Sequence, residues 1–242
     1  RIGRTYGKFE LRLLNAADDI IETKRFNFTG SDRTEEFIGS TQELVLTLEP
    51  QDLFKKSIES VSSLASREDA RIIAALGEKS ILPFNWLGYD SADAILMVTS
   101  DLERIDRISD VQLDAIETWV KQGGTLILSA ASNADRLLSE NGRLARFCPG
   151  NFVGLGECNN SSRLETFCDS QEQLLPSKDD SIPIVRIEDV RGTVLVDNSN
   201  AKNRKPLIVK TACGMGKVIF VTFDLDSPRM TEWIGFPKLV EN

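Results

Sequence analysis

The sequence predicts an α/β fold built on a mostly parallel sheet, with a small β-rich segment in front of it. Three observations carry this expectation. Residues 91–130, "SADAILMVTSD", "SDVQLDAIETWVKQGG" and "TLILSA", read as strand, helix and strand, the βαβ unit of parallel sheets. Both strands are apolar without alternation, as strands covered on two faces are. Residues 1–50, by contrast, hold short strand-like runs separated by Asp-rich and Gly-Ser-rich turns, the pattern of a small antiparallel sheet.

The three N-terminal runs are "KFELRLLN", "IIETKRFNF" and "QELVLTLEP". From Pro50 the period changes. Leu53, Phe54, Ile58, Val61 and Leu64 fall near helical spacing, with Pro50 and Asp52 as start signals, so a helix is expected over residues 50–66. "ARIIAAL" then reads as a buried strand. In the βαβ unit Ser109 is the expected N-cap, and Val111, Leu113, Ile116, Trp119 and Val120 form the apolar face. Gly123-Gly124 ends that helix. Residues 139–181 read as an irregular insertion rich in Gly, Asn and Ser. Strand-like runs follow in "IPIVRI", "GTVLVDN", "KPLIVKTA" and "KVIFVTFD", the last two joined by "CGMGK" as a terminal hairpin. The domains are accordingly placed at residues 1–50 and 51–242.

Composition excludes several chemistries. The chain of 242 residues carries a net charge of −8 with its Lys and Arg scattered. That argues against nucleic acid, whose phosphates are held by clustered Lys and Arg. Histidine is absent altogether, which removes the commonest general base near neutral pH and the commonest metal ligand. Ser-His-Asp and Cys-His mechanisms are impossible within this chain. The longest apolar runs, such as "VIFVTF", are strand-sized, so no segment reads as a membrane span. No signal peptide is recognised, and the chain, which does not begin with Met, reads as a segment of a longer protein. The four cysteines, Cys148, Cys158, Cys168 and Cys213, form no CxxC pair. They read as ordinary thiols or, in an oxidising compartment, as a Cys158–Cys168 disulfide bracketing one loop.

Taken together, "YDSADAILMVTSD", "QLDAIETWVKQGGTLILSA" and "PLIVKTACGMGKVIFVTFD" resemble the class I glutamine amidotransferase-like superfamily, in its non-classical, ThuA-like branch. The shared pattern is a Tyr-Asp-x-x-Asp strand, a helix ending in Trp-Val and Gly-Gly, and a late G-x-G-[KR]-V strand. "ILPFNWLGYDSADAILM" and "FDLDSPRMTEWIGFP" resemble, more narrowly, the extracytoplasmic part of uncharacterised bacterial membrane-anchored proteins. The resemblance spans residues 72–240. It implies a three-layer sandwich of the glutamine amidotransferase-like, flavodoxin-like type. It also implies a periplasmic location, with the membrane reached only through other parts of the parent chain. In true glutaminases the strand equivalent to "TLILSA" leads into a Gly-x-Cys-x-Gly elbow, and a late strand supplies His and Glu. Here Ser129, Ala130, Ala131 and Ser132 stand at the elbow without the cysteine or either glycine. Phe223-Asp224-Leu225-Asp226 stands where ThuA-like domains carry a histidine. Ser129, Ala130 and Ser132 are therefore expected to be a vestigial elbow, with no catalytic residue and no glutaminase activity.

Carboxylates are the remaining candidates. Ligands of open α/β sheets bind beyond the carboxyl ends of the strands, and Asp101, Asp224 and Asp226 each follow such a strand. If those strands are neighbours, three acids face one crevice and could hold a hard cation or bind hydroxyls. The competing and weightier reading is that they cap helices or tighten turns. Asp90 and Asp93 precede their strand and belong at the opposite edge. "CGMGK" precedes a strand instead of opening a helix, so its glycines read as turn residues, not as a phosphate loop. Trp86 and Tyr89 are expected to pack the domain edge. Asn27-Phe28-Thr29, Asn159-Asn160-Ser161 and Asn160-Ser161-Ser162 fit the N-glycosylation pattern, one that chance also produces. The expected function is a non-catalytic, extracytoplasmic interaction or ligand-sensing module, with a protein or small-molecule partner and no cofactor. The alternatives are a carboxylate- and metal-dependent hydrolase or carbohydrate-active enzyme, and a purely structural spacer.

Overall fold

The computed structural model describes residues 7–28, 43–48, 72–75, 81–177, 179–198 and 204–241. The helix expected over residues 50–66 and Thr29 of the first glycosylation tripeptide lie outside the described residues. The chain forms two compact units, residues 1–42 and 43–242. In the first, β1 (Gly7–Leu14) and β2 (Ile20–Phe28) pair antiparallel. Asn15 closes their turn, its side-chain oxygen accepting the Ala17 and Asp19 amides at 2.8 and 2.9 Å. Such local bonds are why Asn favours turns. Across the pair, the Arg25 guanidinium donates to Glu10 at 2.7 Å.

In the second unit, β3 (Leu44–Leu48), β4 (Ile72–Ala75), β5 (Ala94–Val98), β6 (Thr125–Ser129) and β11 (Gly216–Val221) run parallel to one another. β10 (Pro206–Cys213) and β9 (Thr193–Asp197) continue the sheet antiparallel. Among the described residues these seven strands lie in the order β4-β3-β5-β6-β11-β10-β9, which makes the fold α/β with a mixed sheet. One expectation is corrected. The run "LVLTL", read as the third strand of the N-terminal sheet, is β3 of the central sheet, and the boundary between the units falls at residues 42 and 43. The physical reason lies in its composition. Four of its five residues are apolar without alternation, and Thr47 and Leu48 are buried, which suits a strand covered on both faces.

α1 (Leu102–Arg107) and α2 (Asp110–Lys121) connect β5 to β6. Ser109 caps α2 as expected, in a capping box with Gln112, and Gly123, at φ +125°, turns the chain out of the helix. Alternate strand residues feed two apolar clusters. Ile95, Met97, Leu126, Leu128, Val218 and Phe220 pack with Leu113, Ile116, Trp119 and Val120 of α2 and with Leu137 of α3 (Ala134–Leu138). Leu96, Val98, Ile208 and Val221 belong to the other cluster. It includes Leu164 of α4 (Ser162–Phe167), Met230 of α5 (Pro228–Thr231) and Phe236 and Leu239 of α6 (Phe236–Glu241).

The stretch expected to be irregular is in part ordered: β7 (Asn151–Cys158) pairs antiparallel with β8 (Ile182–Glu188), and α4 follows β7. β7 does alternate, but Gly154 and Gly156 occupy two of its half-buried positions and erase the apolar signal that periodicity needs. Tyr89 is fully buried, donates its hydroxyl to the Pro83 carbonyl at 3.1 Å, and lies 6.1 Å from the Trp119 ring. The β10–β11 hairpin forms as expected, with Gly214 at φ +62°. A Cβ on Gly216 would stand 2.1 Å from the Val120 carbonyl oxygen, so this glycine permits the hairpin to approach the end of α2. Among the described residues no helix is long and apolar enough to cross a membrane.

Candidate functional site

β5, β6 and β11 are adjacent and parallel, so their carboxyl ends emerge together, with Ser129 in register with both Val98 and Val221. This brings residues 99–101, 129–133 and 223–226 to one edge of the sheet. Ser129 is fully buried. Its hydroxyl donates to the Phe223 carbonyl at 2.8 Å and accepts the Leu225 amide at 2.9 Å, clasping β6 to the segment beyond β11. Ala130 and Ala131 are also fully buried. The Ala131 amide donates to Asp224 Oδ1 at 2.9 Å, and the Ser132 amide to Oδ2 at 3.0 Å. The Ser132 hydroxyl donates to Oδ2 as well. Backbone amides at such a turn are the groups that hold an oxyanion in acyl-transfer enzymes. Here the chain's own carboxylate, only 7% exposed, holds them.

The rest of the edge is closed in the same manner. Asn133 Nδ2 donates to the Thr99 and Ser100 carbonyls at 2.8 and 2.9 Å. Asp101 caps α1, accepting the Arg104 amide at 3.2 Å, and the Ser100 hydroxyl donates to Asp226 Oδ2. The three acids lie close enough for Asp224 and Asp101 to act on Asp226. Burial above all, and then these two charges, raise the Asp226 carboxyl above its ordinary value, while the Ser100 hydrogen bond opposes them. Asp226 Oδ1 and Thr99 Oγ1 are buried and have no hydrogen-bond partner among the described residues.

Asp101, Asp224 and Asp226 therefore meet at one edge, yet each faces its own partner. Among the described residues no group of three or more His, Cys, Asp or Glu is arranged to hold a metal ion. Asp101 points at the Arg104 amide of α1 and Asp224 at the Ala131 and Ser132 amides. Asp93 accepts the Leu44 amide at 2.8 Å, at the amino-terminal ends of β3 and β5, as its place in the sequence requires.

Cys158 and Cys168 are free thiols, so the expected bridge is not formed. Both pack into the second apolar cluster. The Cys158 thiol donates to the Asn160 carbonyl at 3.1 Å. Burial pushes the Cys158 thiol up and the Cys168 thiol to about 12. Asn160 uses its side-chain oxygen to accept the Ser162 amide and hydroxyl at 3.0 and 2.8 Å, a local bond at the start of α4. Ser100 and Asn133 were not singled out from the sequence. Their only signal was polarity directly after a buried strand.

No family model matches the chain, and no curated protein does. Solved structures do. A cytoplasmic protein of Salmonella typhimurium LT2 superposes with a TM-score of 0.54 at 13% identity, over 82% of this chain and 96% of that one. A second cytoplasmic protein of Salmonella typhimurium gives 0.51 at 12% identity, over 97% and 93%. A putative ThuA-like protein of Bacteroides uniformis is also similar, at 0.43 and 10% identity over 82% and 88%. At these identities the likeness to the two Salmonella proteins is one of fold alone, and a ThuA-like protein stands among the structural neighbours.

Proposed function

We propose that this chain is a non-catalytic interaction or ligand-sensing module of the class I glutamine amidotransferase-like, ThuA-like kind, a three-layer sandwich carried outside the cytoplasm by a larger membrane-anchored protein. One observation carries the non-catalytic part. The polar groups of the elbow are engaged internally, Ser129 by Phe223 and Leu225, and the Ala131 and Ser132 amides by Asp224. A serine nucleophile needs an activating base, and the chain has no histidine. The acids that a hydrolase or carbohydrate-active enzyme would use are occupied as a helix cap, an amide clamp and a serine acceptor. Asp226 Oδ1, buried and without a hydrogen-bond partner among the described residues, is what remains for the enzymatic alternative.

The test of this part is turnover. The chain is incubated with glutamine, p-nitrophenyl esters and p-nitrophenyl glycosides, with and without divalent cations. Rates at the buffer blank are expected, and turnover abolished by Ser132→Ala or Asp226→Asn would overturn the reading. The location rests on the resemblance of residues 81–97 and 223–237, and a topology reporter fused within the parent chain tests it. The cytoplasmic label of the two Salmonella neighbours belongs to those proteins, and fold likeness does not transfer location.

A further inference from the structure

At the other end of the sheet, a cavity of about 230 Å³ lies against the face that bears the second apolar cluster. Its floor is the same-face set Leu96, Ile127, Ile219 and Val221 from β5, β6 and β11, and Phe167 and Leu239 contribute walls. Ile127 and Ile219 are only partly buried although they sit on central strands. At the amino-terminal ends of the strands the lining turns polar. Thr125 and Lys217, direct register partners on β6 and β11, stand there with Glu43 and Asp93. Asp93 is committed to the Leu44 amide. It precedes β5, two strands from Lys217, and Glu43 precedes β3, one strand further, so Asp93 lies about 10 Å away at the usual strand spacing and Glu43 beyond it. Lys217 forms no ion pair among the described residues.

We propose that this cavity binds a small amphiphilic monocarboxylate, with its apolar body over Ile127 and Ile219 and its carboxylate at Lys217 and Thr125. An apolar trough with one polar end suits an amphiphile, and Lys217, the register partner of Thr125, offers a counter-charge to its head group. Size follows from volume. An apolar cavity of roughly 150 Å³ admits benzene, so this one takes a body of about eight or nine carbons on the same scale. The proposal rests on the ligand-sensing form of the function above and specifies the ligand class.

The test uses the intact chain and five probes below their aggregation concentrations: hexanoate, octanoate, decanoate, 1-octanol and octylamine. Binding is followed by thermal shift and by backbone amide chemical shifts. Affinity is expected to rise about fourfold per methylene and to level off once the cavity is full. Octanoate should bind more tightly than octanol and octylamine, with shifts centred on residues 125–127 and 217–221. Lys217→Gln should weaken octanoate about tenfold, as loss of a charged hydrogen bond does, and leave octanol unchanged. Ile127→Trp, which fills the trough, should abolish both; because that variant risks misfolding, the Lys217→Gln comparison decides. No octanoate binding up to about 1 mM, octylamine binding at least as tightly, or an unaltered Lys217→Gln affinity would each overturn the proposal. Failure here leaves the non-catalytic reading intact, whereas turnover at the elbow removes that reading and leaves this site untouched.

Discussion

Replacing Asp224 with alanine tests whether the elbow is closed from within. The carboxylate accepts three hydrogen bonds, from the Ala131 amide, the Ser132 amide and the Ser132 hydroxyl. Their contributions differ with burial. Ala131 is fully buried, so its orphaned amide costs about 1–3 kcal/mol. Ser132 is exposed, so water takes over its two donors, and their loss costs only about 0.5–1 kcal/mol together. The sum is about 2–4 kcal/mol, or a fall in Tm of roughly 5–15 °C for a chain of this size. Urea denaturation followed by circular dichroism measures it. Asp224→Asn retains one acceptor for the Ala131 amide and should lose about half as much. A second readout is electrostatic. Because the Asp224 charge helps raise the Asp226 carboxyl, both variants should move Asp226 down toward its ordinary value in an NMR titration. An Asp224→Ala protein within about 0.5 kcal/mol of the wild type, the range of indifferent surface changes, would refute the reasoning. It would mean that the elbow amides have another acceptor.

Burial raises the Asp226 carboxyl above 3.8, so its contribution to stability is full below the unfolded value and is lost as the pH rises through the folded one. Asp226→Asn should therefore gain on the wild type as the pH climbs above about 4 and then keep a constant lead; urea midpoints that show a constant or shrinking gap contradict this. Gly216→Ala places a methyl 2.1 Å from the Val120 carbonyl oxygen and 2.3 Å from that of Gly124, and should lower stability by about 2–3 kcal/mol. A neutral effect in chemical denaturation would show that the hairpin shifts freely. In the native protein Cys158 and Cys168 should resist a disulfide-exchange reagent while the half-buried Cys148 and Cys213 react first, with all four thiols counted after unfolding. Only two titratable thiols in denaturant without reductant would restore the disulfide.

Much of the fold was legible because its signals are local. The capping box at Ser109 and Gln112, the Gly123-Gly124 stop and the unbroken apolar runs of β5, β6 and β11 each lie within a few residues. The absence of histidine is a property of composition, and it removed the commonest catalytic arrangements before any geometry was known. Local signals failed where the deciding neighbour is remote. "LVLTL" looked like the next strand of an N-terminal sheet because that sheet precedes it in sequence; its partners are β4 and β5. β7 was hidden because glycine carries no side chain to mark an inward face.

The sequence by itself determined that an α/β sheet forms, that Ser129, Ala130 and Ala131 stand at the end of a buried strand, and that three acids follow buried strands. Strand apolarity, residue identity and the order of elements suffice for these statements. Only the tertiary structure decided what those groups do. Asp224 reaches the Ala131 and Ser132 amides across a gap of more than 90 residues, and Ser129 ties to Phe223 and Leu225 across a similar one. Hydrogen bonds are directional and short-ranged, so whether an acid binds a cation or satisfies a backbone amide depends on which strand ends lie side by side. That order, β5-β6-β11, is a property of the folded sheet.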